Sequence, residues 1–114
     1  MDFAIAVYQI TEKFPAHEKY GLSLQIRRAA VSVPSNIAEG AGRSHSKEFV
    51  QFLFISLGSL AEIETQLQIA ERLGYTHLPE SLKDMTGRIR KMLIGLIKRV
   101  TRDAKVINTG ITFS

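Results

Sequence analysis

Between Phe49 and Ala70, residues suited to burial recur at Phe49, Phe52, Leu53, Ser56, Leu60, Ile63, Leu67 and Ala70. These steps of three and four are those of a heptad seam, which a strand with its two-residue alternation cannot use. The seam predicts one long helix, with Ser44 or Ser46 as its cap. It ends at Leu73-Gly74-Tyr75, where Gly74 can take the left-handed conformation that closes a helix.

The rest of the chain has the same period. Phe3, Val7, Ile10 and Phe14 mark a first helix opened by Asp2 and stopped by Pro15. Leu22, Ile26, Ala29, Ala30, Val33 and Ile37 mark a second, from about Glu18 to Gly40, stopped by Gly40 and Gly42. Pro34 lies inside it and removes the bond to the Ala30 carbonyl, so a kink is expected there. Leu82, Met85, Ile89, Met92, Leu93, Leu96 and Val100 mark a fourth helix, with Pro79 at its start. Four helices with short connections predict an all-α, antiparallel up-down four-helix bundle whose second helix is kinked at a proline. Residues 1–105 form a single domain, and 106–114, lacking a helical period, a flexible tail. Helices two to four, at about 1.5 Å per residue, make the bundle a rod of roughly 35–43 Å.

The third helix carries a second stripe, Val50, Phe54, Leu57 and Ala61, about 110° around from the first. A surface helix of a lone bundle needs one stripe. The second is therefore expected to face another copy of the chain, making a homo-oligomer.

The chain has 114 residues and a formal charge of +4, and the excess is local. Residues 80–105 hold eight cations and three anions, a balance of +5, against −1 for the remainder. Arg88, Arg90, Lys91, Lys98, Arg99, Arg102 and Lys105 fall opposite Leu82, Ile89, Leu96 and Val100, so helix four should present a basic face. Such a face suits RNA or DNA phosphates, read without sequence preference because no base-reading motif accompanies it. The alternative is a scaffold for a protein partner, with the charge serving solubility.

Other chemistries are poorly represented. There is no cysteine, and His17, His45 and His77 lie at connections without a second ligand at metal spacing. Ser56 and Ser59 sit on a helix outside any GxSxG elbow. Gly40-Ala41-Gly42-Arg43-Ser44 lacks the strand and GK[ST] ending of a phosphate loop. No catalytic residue, cofactor, metal or small-molecule substrate is expected. The longest uncharged apolar window, Phe49 to Ala61, has 13 residues, short of a membrane span, and a cytoplasmic location is expected.

Polar residues on apolar-rich segments remain to be placed: Gln25, Arg27, Arg28, Asn36, Glu39, Ser59, Glu62, Glu64 and Gln66. A carboxylate beside a core must be paired, so Glu39 or Glu62 is expected to meet an arginine of the second helix.

YGLSLQIRRAAVSVPSNIAEGAGR (Tyr20 to Arg43), EFVQFLFISLGSLAEIETQL (Glu48 to Leu67) and LGY (Leu73 to Tyr75) together resemble the four-helix-bundle family named after 23S ribosomal RNA intervening sequences. The resemblance implies a bacterial, homo-pentameric protein without an established biochemical role. It extends to the accessory proteins of diversity-generating retroelements, which bind nucleic acid and a reverse transcriptase through a basic surface. Arg27, Arg28, Pro34, Asn36, Glu39, Glu62 and Gln66 then look like determinants of fold and assembly.

Overall fold

The computed structural model describes the backbone of residues 2–113 and the side chains of residues 2–104. It contains helices α1 (Asp2–Thr11), α2 (Leu22–Ala41), α3 (Ser46–Arg72) and α4 (Glu80–Phe113), with a single 3-10 turn at Ala16–Glu18. Sequential helices pack antiparallel, and α1 also touches α4, which closes the up-down bundle. The molecule is a rod, 61 Å long and 25 by 19 Å across. At about 1.5 Å per residue, α1 spans roughly 15 Å, so it covers only part of that length. No helix among the described residues is long and apolar enough to cross a membrane.

The core is the set of seams read from the helical period. Leu53, Ser56, Leu60, Ile63, Leu67 and Ala70 of α3 are buried, against Ile26, Ala29, Ala30 and Val33 of α2 and Leu82 and Leu93 of α4. The Ser56 hydroxyl is satisfied inside this seam by donating to the Val33 carbonyl at 2.9 Å. α2 runs without a break from Leu22 to Ala41 with Pro34 inside it.

Several helix ends differ from expectation, each for a local reason. α1 stops at Thr11, whose hydroxyl turns back to the Val7 and Tyr8 carbonyls, both at 3.0 Å. Phe14 is therefore outside the helix, yet buried, with its ring 5.6 Å from that of Tyr75. α2 starts at Leu22 rather than Glu18, because Glu18 belongs to the 3-10 turn and its carboxylate caps α2 by accepting the Leu22 amide at 3.1 Å. Neither serine caps α3: His45 precedes it, and no side chain bonds to the helix start.

Gly40 is not a helix stop. It lies within α2, and a Cβ there would sit 2.7 Å from Phe52 Cβ and 2.9 Å from Phe49 Cδ1. The glycine lets α2 and α3 approach closely. Gly74, by contrast, has φ +80, and the Tyr75 and Gly74 amides bond back to Ala70 and Glu71 at 2.9 and 3.0 Å. That is the double closure in which the left-handed residue satisfies the last free carbonyls of a helix.

Tyr75 joins this end of α3 to the start of α2. Its hydroxyl donates to Glu18 Oε2 at 2.9 Å. The His17 Nε2 lies 3.3 Å from the Tyr75 oxygen and, with that proton already committed, supplies the donor. The Glu18 carboxyl is held below its ordinary 4.5 by the Leu22 amide first and the Tyr75 hydroxyl second. Tyr75 is pushed above its ordinary 10.0 by the same bond to Glu18. The Glu18 contribution to stability is thus present above the unfolded carboxyl value and lost as pH falls through the folded one. The Tyr75 contribution is present below the unfolded phenol value and lost as pH rises through the folded one. Tyr75→Phe is expected to move the Glu18 titration back up toward 4.5, read by NMR of its carboxyl carbon. An unmoved titration would contradict this account of the clasp.

Candidate nucleic-acid interface

α4 is amphipathic because two residue classes recur at the same period out of phase. Leu82, Thr86 and Leu93 are buried, with Ile89, Leu96, Ile97 and Val100 half-buried beside them. At about 100° per residue, Arg88, Lys91, Lys98, Arg99 and Arg102 share an arc of roughly 100°, centred opposite that side. All five are exposed. From Arg88 to Arg102 the row is about 21 Å long. Arg102 Nε lies 3.9 Å from Asp103 Oδ1, and the other four make no ion pair among the described residues.

Arg90 does not join the row. It points across to α3 and pairs with Glu64, tying the two helices together. Its place on the wheel, about 160° from Arg88, carried that signal. Lys83 pairs with Glu80 at 3.4 Å within its own helix turn. Lys105, and residues 106–114 for which a tail was expected, lie outside the described side chains.

The second stripe of α3 is divided. Phe54 is 56% exposed, and Ala61 is also exposed, whereas Val50 and Leu57 are half-buried and Leu57 packs on the core of its own bundle. Ile55, at 50% exposure, adds to the outward apolar area beside Phe54. A separate apolar groove of about 640 Å³ lies between α1 and α2, lined by Ile5, Tyr8, Val31, Pro34 and Ala38.

The polar residues form a network, but not the one expected. Among the described residues, Glu39 pairs with Arg43 at 2.7 Å, and Glu62 accepts from the Gln66 amide at 3.1 Å. Neither meets an arginine of α2, because both carboxylates are exposed and water already solvates them. Arg27 instead donates from Nε to Thr11 Oγ1 at 2.7 Å and stacks 4.8 Å from the Tyr8 ring centre, holding the end of α1 to α2. Arg28 lies exposed in a shallow groove with Gln25, Ser32, Ser59 and Glu62. The α2–α3 register is set by neutral groups: Ser32 to Ser59 at 2.9 Å, Gln66 to Gln25 at 3.2 Å, and Asn36 bracing Ser32 at 2.8 Å. Ser32 was not singled out from the sequence, because a half-buried helical serine has no distinctive spacing.

The three histidines are exposed, and among the described residues no group of three or more His, Asp or Glu gathers as a metal site would require. Prominent on the described surface are the cationic row, the Phe54–Ile55 area and the groove between α1 and α2.

Comparison with known proteins places these features. Among curated proteins no match was found. The chain is similar to the crystal structure of a protein of unknown function from the S23 ribosomal protein family of Bacteroides thetaiotaomicron, at 28% identity and a TM-score of 0.76. That similarity covers 85% of this chain and 89% of the other. The family described as 23S rRNA-intervening sequence protein matches residues 1–95, which take in all of α1 to α3 and, of the basic row, Arg88 and Lys91, while Lys98, Arg99 and Arg102 lie beyond the match. By that match the chain belongs to the 23S rRNA-intervening sequence protein family.

Proposed function

We propose that the protein is a non-enzymatic, self-assembling bundle that binds RNA or DNA with little sequence preference through the exposed face of α4. The observation that carries this reading is the row Arg88, Lys91, Lys98, Arg99 and Arg102, exposed together on the side of α4 opposite its core. Cations aligned along one face neutralise successive phosphates and release their counterions. With no aromatic, asparagine or glutamine between Arg88 and Arg102 and no groove-entering motif around the row, these cations hold a strand by its phosphates rather than by its sequence.

Self-assembly is the second part of the proposal, with five copies as the family resemblance implies. Phe54 and Ile55 support it, since their exposed rings and methyls are costly on a lone subunit. Assembly would also multiply the cationic rows available to one strand. Phe54→Glu is expected to lower the solution mass toward 12.7 kDa while leaving helical content unchanged. Light scattering beside circular dichroism checks both, and an unchanged mass would remove Phe54 from the contact.

The groove between α1 and α2 favours a second reading, a polypeptide partner. Pull-down from nuclease-treated extract separates the two: a protein partner survives nuclease, and a nucleic acid does not.

A further inference from the structure

Gly95 stands exposed in the middle of the cationic row, at a place where the fold gives no reason for a glycine. Glycine inside a helix is destabilising relative to alanine, so a structural role elsewhere normally accounts for it. Two such roles are visible in this molecule. Gly74 has the left-handed φ of +80 that its turn requires. Gly40 has Phe52 Cβ 2.7 Å from where its own Cβ would be. Gly95 has neither, since its φ is not positive and nothing lies within 4 Å of a Cβ built there.

Gly58 and Gly87 are similarly open, but their settings differ. Gly58 belongs to the outer face of α3, beside Phe54 and Ala61, and Gly87 follows Lys83 and Asp84 at the edge of the row. Gly87 also has Lys83 and Lys91 one turn to either side, but it is half-buried, Lys83 is held by Glu80 and Arg90 by Glu64. Gly95 is exposed, and its neighbours Lys91, Lys98 and Arg99 make no such pair among the described residues. Lys91 and Arg99 lie one turn to either side, Lys98 is three residues on, and Arg88 and Arg102 are two turns away. Helix backbone lies at a radius of about 2.3 Å inside an envelope of about 5–6 Å, so the missing side chain leaves a notch roughly 3 Å deep.

We propose that this notch seats the sugar–phosphate backbone of a bound polynucleotide. The strand crosses α4 at Gly95, close against the helix backbone, and Lys91, Lys98 and Arg99 engage the phosphates on either side. The ligand class is a polynucleotide strand rather than a base sequence, because the notch offers a surface for close approach and no side chain to read a base edge. This rests on α4 being the nucleic-acid surface.

The test compares Gly95→Leu and Gly95→Ala with the unaltered protein, using a labelled 20-nucleotide poly-uridine RNA across a salt series. Leucine fills the notch and leaves every cation in place. Binding should therefore weaken about tenfold at each salt concentration while the dependence on salt stays the same. Gly95→Ala should raise the melting midpoint by about 2–5 °C, because the fold loses a poor helix former and gains no clash. If the unaltered protein binds with steep salt dependence and Gly95→Leu binds equally well, the notch is refuted and the α4 surface stands. If the unaltered protein fails to bind, or binds independently of salt, the α4 surface is refuted and the notch with it. A fall in the melting midpoint of Gly95→Ala would show that the fold itself needs the glycine, and would overturn the proposal.

Discussion

Replacing Lys98, Arg99 and Arg102 together by alanine is expected to flatten the salt dependence of RNA binding and to leave the bundle folded. With five exposed cations in the row, and about −0.7 per phosphate for a single strand, the log–log slope per subunit should be near −3.5. Between 50 and 200 mM salt that slope corresponds to about a 100-fold loss of affinity. Two cations remain in the triple variant, so its slope should fall to about −1.4 and the loss to roughly sevenfold. All three side chains are exposed, and among the described residues only Arg102 has an ion-pair neighbour, Asp103 at 3.9 Å. Their removal should therefore change stability by less than about 1 kcal/mol. A variant with unchanged slope would place binding elsewhere. A variant that unfolds would make the row structural.

The second large effect is at Gly40. Alanine there places a Cβ 2.7 Å from Phe52 Cβ, an atom fixed to the α3 backbone that cannot swing aside. Phe49 Cδ1, at 2.9 Å, belongs to a ring that can turn, but the Phe49 carbonyl at 3.3 Å cannot. α2 and α3 must separate, and overpacking of this kind costs about 1–3 kcal/mol even after part of the helix-propensity gain is returned. The melting midpoint should drop by about 4–15 °C. Gly42→Ala is the control, since a Cβ there meets the Glu39 and Ala38 carbonyls at ordinary distances of 3.6 and 3.7 Å. A neutral or stabilising Gly40→Ala would contradict the close approach of the two helices.

Gly40 also shows where sequence reading stops. Glycine serves both as a helix terminator and as a contact without a side chain, and the two roles differ only in what lies opposite. In this fold that is Phe49 and Phe52, which follow in the next helix. The α3 seam was legible because burial there follows from period alone: Leu53, Leu60 and Ile63 are all wholly buried. Gly74 was legible because a left-handed turn is a local event. The cationic row was legible for the same reason as the seam, apart from Arg90, whose partner Glu64 lies on another helix.

Polar contacts were the least legible. Glu18 and Tyr75 meet across 57 residues, and nothing in their local sequences encodes that meeting. Expected burial beside the core suggested arginine partners for Glu39 and Glu62, but both carboxylates are exposed and gain little from such pairing. The interhelical bonds were made instead by Ser32 with Ser59 and by Gln66 with Gln25. Ser59, Gln25 and Gln66 stood out as polar residues on apolar-rich segments, but without charge nothing in the sequence named their partners.

Light scattering of the protein mixed with single-stranded RNA, at 50 mM and again at 500 mM salt, probes assembly and binding in one experiment. The account predicts a protein mass that is a multiple of 12.7 kDa at both salt concentrations, with RNA co-migrating only at the lower one. A species of 12.7 kDa that ignores RNA at 50 mM salt would contradict it.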